Sequence, residues 1–230
     1  MLNEIGVNLA KISRRINEAA SKSGRDPQDI KLVAVSKNMD VERIRKAMDA
    51  GLSLFGENKV QEFTEKYGKI GNEVEWHFVG NLQRNKVKDV VGKVDLIHSL
   101  GRMPLAKEIN KRAKQKSTVT NVLLQVNISG EESKSGFSLD DVLPSVHSIV
   151  ESCPHIAVKG LMTIAPLTED PETVRPVFAE LRKLSEVIEG EGFPSVDMDY
   201  LSMGMTNDFR IAVEEGANLL RIGRAIFGSR

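Results

Sequence analysis

Lys37 closes an apolar run, Leu32-Val33-Ala34-Val35-Ser36, and a lysine in that place is the first candidate for chemistry. An amine partly withdrawn from water at the edge of a core has a lowered pKa. A larger neutral fraction is then available to condense with a carbonyl group. A solvated lysine at a strand end is the simpler alternative, so context has to decide. Two further segments supply it: Leu201-Ser202-Met203-Gly204-Met205-Thr206 and Arg221-Ile222-Gly223-Arg224. Ser202 offers a hydroxyl, while Gly204 and Gly223 let backbone N–H groups approach an anion. Tight turns alone would also explain these glycines.

The elements that must position these residues repeat one pattern, a short apolar run, a turn and a helical period. The runs are Lys31–Lys37, Leu54–Asn58, Glu75–Gly80, Asp95–Leu100, Asn121–Ile128, Ile156–Ile164, Asp199–Gly204 and Leu219–Arg224. Each reads as a strand buried on both faces, as in a parallel sheet. Between them lie amphipathic stripes such as Val174, Val177/Phe178, Leu181, Leu184 and Ile188. Ser138 with Asp141 and Asp170-Pro171 mark helix starts. About eight runs predict an α/β fold, a single (β/α)8 TIM-type barrel over residues 1–230, with an open doubly wound sheet as the alternative. After the eighth run only Ala225–Arg230 remain, so no final outer helix is expected. An extra N-terminal helix over residues 1–23, with the stripe Leu2, Ile5, Leu9, Ile12, Ile16 and Ala19/Ala20, is expected to cover the seam between the last and first strands.

In such a barrel the carboxyl ends of the strands carry the site, and phosphate is often held after strands 7 and 8. Lys37 falls at the end of the first strand, and Ser202, Gly204 and Gly223 fall at the last two. One ligand needs both an amine and an anion cradle on one face: pyridoxal 5′-phosphate, an aldehyde and a phosphate on one ring.

Other chemistries lack their residues. No G-x-G-x-x-G follows a strand, no G-x-x-x-x-G-K-[ST] occurs, and there is no G-x-S-x-G. His77, His98, His147 and His155 lack metal-ligand spacing; His77 and His98 read as packing or hydrogen-bonding residues within strands. The single cysteine, Cys153, forms no intrachain disulfide and fits a reducing cytoplasmic setting. With 32 basic and 32 acidic residues, no global attraction to nucleic acid or anionic membrane is expected. No apolar run approaches a membrane span, and the first residues lack the apolar core of a secretory signal.

The chain resembles the pyridoxal phosphate homeostasis protein family, single-domain relatives of the alanine racemase barrel. The matching stretches are LVAVSK (Leu32–Lys37), FGENKVQE (Phe55–Glu62), WHFVGNLQRNK (Trp76–Lys86), IHSL (Ile97–Leu100), VNISGEESKSGF (Val126–Phe137), GLMTIAP (Gly160–Pro166), LSMGMTNDF (Leu201–Phe209) and LRIGRAIFG (Leu220–Gly228). The resemblance implies that Lys37 is the lysine forming the imine with the cofactor. It further implies that Ser202, Gly223 and Arg224 surround the phosphate, and that Arg221 faces the pyridine nitrogen. Asn58 and Met203 would then flank the ring, with His77 near the imine side. Lys134 falls where related racemases carry a basic residue near the ring hydroxyl.

The implied role is homeostatic: the protein holds and hands over the cofactor, with apo pyridoxal-phosphate enzymes as acceptors, without a major catalytic activity, and the compact barrel is expected to be a monomer. An amino-acid racemase is the alternative, and an imine-forming aldolase a weaker one. A racemase needs acid/base groups on both faces of the ring. Its added β-domain carries a tyrosine for this, whereas Tyr67 and Tyr200, the only tyrosines here, stand in a helical stretch and inside a strand.

Overall fold

The computed structural model describes residues 4–131 and 134–228. Eight parallel strands close into a barrel in sequence order: β1 (Lys31–Val35), β2 (Leu54–Glu57), β3 (Glu75–Phe78), β4 (Leu96–Leu100), β5 (Thr120–Gln125), β6 (Ile156–Met162), β7 (Val196–Ser202) and β8 (Leu219–Ile222). Closure is made by β1 on β8, with Val33 opposite Arg221 and Ala34 opposite Ile222. Every expected run overlaps a strand, and all but the fourth end one to three residues later than the strand does. The polar residues at those ends therefore sit on the loops above the barrel.

Helices fill the outer ring: α2 (Val41–Asp49), α3 (Val60–Ile70), α4 (Val87–Val90), α5 (Met103–Gln115), α6 (Leu139–Ser152), α7 (Arg175–Gly190) and α8 (Phe209–Glu214). Side-chain caps start several of them. Asp40 accepts from the Arg43 N–H, and Ser138 from the Asp141 N–H. Pro171 opens a 3-10 turn that leads into α7.

Among the described residues β8 is followed by a single turn, α9 (Arg224–Phe227). The N-terminal helix α1 (Glu4–Lys22) packs on α8 and α9 with Ile5, Ile12, Ile16, Ala19 and Ala20 buried. Asn8 Nδ2 donates to the Ile226 carbonyl, Lys22 pairs with Glu214 at 2.9 Å, and the Arg15 guanidinium lies 4.9 Å from the Phe209 ring centre. Leu2, placed on the same stripe by its spacing, lies outside the described residues. No described helix is long and apolar enough to cross a membrane.

Strand alternation divides the core in two. Outward side chains such as Phe55, Trp76, Phe78, Ile97 and Leu220 join the helices in the larger core. Inward, Val33, Leu54, Leu96, Leu123, Met162 and Leu219 form a small apolar plug. Two residues further along four strands, the inward positions turn polar: His77 on β3, His98 on β4, Ser202 on β7 and Arg221 on β8.

Candidate functional site

A cavity of about 480 Å³ opens above those polar residues, at the carboxyl ends of the strands. That size suits a small organic ligand. Lys37, Asn58, Arg221, Gly223, Arg224 and Lys134 all line it, so four separate stretches of chain converge there.

Lys37 is carried on a turn. The Met39 N–H donates to the Ser36 carbonyl at 3.0 Å, and Asn38 has φ of +60°, so Ser36–Met39 is a type II turn with Lys37 at its second position. Lys37 is exposed. This corrects the expectation of a lysine partly withdrawn from water: the turn lifts it out of the apolar barrel instead of leaving it in the strand. Beneath the turn, Lys66 of α3 and Glu57 of β2 form a buried ion pair at 2.6 Å. Ser36 Oγ donates to the same Glu57 oxygen at 2.7 Å, and Lys66 Nζ donates to the Ser36 carbonyl at 2.8 Å. Burial pushes the Glu57 carboxyl up, and its hydrogen bonds with Lys66 and Ser36 offset only part of that.

Asn58 lines the cavity just past β2. Its Oδ1 is buried and has no hydrogen-bond partner among the described residues. The backbone here is close-packed, since a Cβ on Gly80 would fall 2.0 Å from the Asn58 carbonyl oxygen. Across the cavity, a Cβ on Gly223 would approach the Val35 carbonyl oxygen to 2.9 Å, so glycine keeps the start of α9 against β1. No side chain caps α9. Its first-turn N–H groups and Arg224 are therefore suited to an anion.

Arg221 forms the floor. Its Nη1 donates to Ser202 Oγ at 2.5 Å and its Nη2 to the Thr163 carbonyl at 2.8 Å. Burial pulls its pKa down to about 10, with Asp208 acting the other way. The guanidinium thus stays protonated at neutral pH.

Ser202, His77 and Met203 are not among the residues lining the cavity. Ser202 is fully buried between Arg221 and His98, whose Nδ1 stands 2.9 Å away. His98 Nε2 meets His77 Nδ1 at 2.9 Å, and His77 Nε2 meets Glu75 Oε1 at 2.9 Å. Burial drives the His98 pKa well down, so that ring is neutral. Arg221 can only donate, which leaves the Ser202 proton for His98 Nδ1. With its Nδ1 accepting from Ser202, His98 Nε2–H donates to His77 Nδ1, and His77 Nε2–H donates to Glu75 Oε1. Met203 is fully buried and points the other way, into the outer core.

Residues given no role in the sequence reading also line the cavity: Asn81, Asn127, Thr206, Asn207, Asp208 and the apolar rim Ile164, Leu167 and Met205. Thr206 and Asp208 were within reach of sequence reasoning, since they sit in the same stretch as Ser202 and Gly204. Lys134 is held by Glu131 at 2.6 Å.

A closed parallel barrel with a lysine above β1 and an arginine–glycine cradle above β8 is a barrel of the alanine racemase type. The family model "Alanine racemase, N-terminal domain" matches residues 7–230. A relative from Aquifex aeolicus named "Pyridoxal phosphate homeostasis protein" is 45% identical over 96% of both chains. One from Escherichia coli K12 with the same name is 39% identical over 100% of this chain and 98% of its own. PipY of Synechococcus elongatus, solved with PLP bound, superposes with a TM-score of 0.81 at 32% identity, covering 93% of this chain and 100% of its own. The chain belongs to the alanine racemase N-terminal domain family and, within it, to the pyridoxal phosphate homeostasis proteins.

Proposed function

We propose that this protein binds pyridoxal 5′-phosphate through Lys37 and serves its intracellular homeostasis, keeping and releasing the cofactor rather than turning over a substrate. The observation that carries this reading is the convergence of Lys37, Arg221, Gly223 and Arg224 on one cavity across the β8–β1 closure. The donor set fits the group. An exposed amine suits an aldehyde, the uncapped start of α9 with Arg224 suits a phosphate, and the orphaned Asn58 Oδ1 awaits a hydrogen-bond donor. When bound, the group supplies a carbonyl that condenses with amines and a ring that withdraws electrons.

The chain's own residues would then divide the work. Lys37 holds the aldehyde end, and Arg224 with the Gly223 backbone holds the phosphate end. Arg221, fixed by Ser202 and Thr163, presents a donor to the ring nitrogen and keeps that nitrogen unprotonated, because guanidinium has no acceptor to offer. Ser202, His98 and His77 act beneath the ring by orienting Arg221. The rim of Ile164, Leu167 and Met205 limits water above it.

Two expected results follow from this arrangement. Each charge-assisted hydrogen bond to phosphate contributes roughly 1.5–3 kcal/mol. Two such bonds make pyridoxal, without phosphate, bind on the order of a hundredfold more weakly. Equal affinity of the two aldehydes in equilibrium dialysis would remove the cradle from the account.

The second concerns turnover. An unprotonated ring is a weak electron sink, and catalysis at an amino acid's α-carbon would need acid/base groups on both faces. Neither tyrosine supplies one. Tyr200 OH is bonded to Lys31 Nζ at 3.0 Å at the far end of the barrel, and Tyr67 OH to Asn72 on the outer surface. Deuterium wash-in at the α-carbon of alanine and serine with the loaded protein is therefore expected to be far slower than about 1 s⁻¹. Exchange at that rate or faster would favour the racemase.

A further inference from the structure

The segment that carries Lys37 is held on both sides by one helix. Lys66 of α3 donates to the Ser36 carbonyl, which also closes the type II turn by accepting the Met39 N–H. Four residues earlier on α3, Glu62 Oε2 accepts the Asn38 N–H at 2.6 Å. Glu62 also lies 3.4 Å from Lys66 and 3.4 Å from Lys59. The i, i+4 spacing puts Glu62 and Lys66 on one face of α3, the face turned to the end of β1. Asn38 stands at φ +60°, a conformation asparagine tolerates and most residues resist, so the sequence permits the turn and the two bonds from α3 hold it. The backbone before and after Lys37 is therefore anchored, while its side chain is left exposed to the cavity.

We infer that Glu62 and Lys66 are positioning residues for Lys37, a clamp that holds the turn so that the amine meets an incoming aldehyde in one geometry. The inference rests on the reading of Lys37 given above. Glu62 touches neither the cavity nor a ligand: it acts through the Asn38 N–H. A pre-formed turn removes the need to order the backbone as the carbon–nitrogen bond forms, and it leaves the side-chain torsions of Lys37 free to let go again. The clamp sets the rate of attachment more than the final affinity if the turn also forms once the bond is made.

The test compares native protein with Glu62→Ala and Glu62→Gln. Gln keeps an oxygen that accepts the Asn38 N–H, and Ala does not. Three quantities are measured: the rate of pyridoxal phosphate attachment by rapid-mixing absorbance, the amide exchange rate of Asn38 by NMR without ligand, and the melting temperature. Attachment in Glu62→Ala is expected to slow about tenfold, the weight of ordering one residue's backbone. Asn38 exchange should accelerate in parallel, and Glu62→Gln should return both to within about twofold of native. A melting temperature lowered equally in both variants, with attachment and Asn38 exchange unchanged, would overturn the clamp and leave Glu62 a stability residue. If borohydride fails to trap the cofactor on Lys37 in the native protein, the functional reading falls, while the exchange of Asn38 still decides whether Glu62 holds the turn. Should Glu62→Ala fail to fold, Glu62→Asp, with a shorter reach to Asn38, gives the same contrast against Gln.

Discussion

Lys37→Ala is expected to abolish covalent retention of pyridoxal phosphate. Native protein reduced with borohydride and digested should carry the label on the peptide containing Lys37; the variant should carry none above background. The physical reason is placement. Among the cavity-lining residues only Lys37 and Lys134 bear a primary amine. Lys134 is paired with Glu131 at 2.6 Å and bonded to Ser129, so a large share of its donors is engaged. Lys37 has the arginine–glycine cradle across the β8–β1 closure from it. Residual binding of the variant through phosphate and ring contacts should survive as a reversible complex released by gel filtration. Retention of the label at native level on Lys134, Lys59 or Lys86 would end the assignment.

The largest loss of stability is expected for Lys66→Met. The Glu57 side chain is fully buried, and Lys66 is its ion-pair partner at 2.6 Å. Methionine matches the length of the lysine stem, so packing survives while a buried carboxylate loses its counter-charge. Breaking such a pair from one side costs about 3–5 kcal/mol. The pH dependence identifies the cause. Burial already raises the Glu57 carboxyl in the folded state, and Lys66 is the main group opposing that rise. Without it the folded-state pKa climbs further. A group whose folded pKa is raised favours the folded state below its unfolded pKa and loses that contribution as pH rises through the folded value. The deficit of Lys66→Met should therefore be greatest at pH 7 and above and shrink toward about pH 4.3, the ordinary glutamate value. Urea melts at pH 7 and pH 5 make the comparison, and adding Glu57→Gln should recover part of the loss at pH 7. A deficit independent of pH would point to lost packing alone.

The barrel was legible because parallel strands buried on both faces leave continuous apolar runs, and eight of them could be counted. The same property hid the site's lower half. Where both faces are apolar, nothing in the run says which parity points inward. Ser202 and Met203 were therefore both read toward the cofactor. Neighbours on a strand face opposite ways, so Ser202 turns into the barrel beneath the cavity while Met203 enters the outer core. The readable signal was the polar residue in each apolar run: His77, His98, Ser202 and Arg221 share the inward parity. Lys37 was found, but its exposure was not, because a type II turn that depends on an asparagine at positive φ and on α3 leaves no local signature at the lysine. The pairing of Glu57 with Lys66 went unnoticed since a glutamate and a lysine nine positions apart read as surface charge until the helix folds back over the strand end.

The packing of α1 on α8 and α9 has a consequence for how the protein is made. Helix α1 finds its partners, α8 and α9, only after the whole run of strands between them has been synthesised. Ribosome-bound intermediates up to β7 thus carry an amphipathic helix with Ile5, Ile12 and Ile16 uncovered and a sheet with two open edges. Such sequence-distant contacts slow folding and leave apolar surface for other molecules to find. Stalled chains ending before residue 209 should accordingly be held by chaperones and cut by protease within α1, and extension through residues 209–228 should protect that helix and complete the barrel in one step.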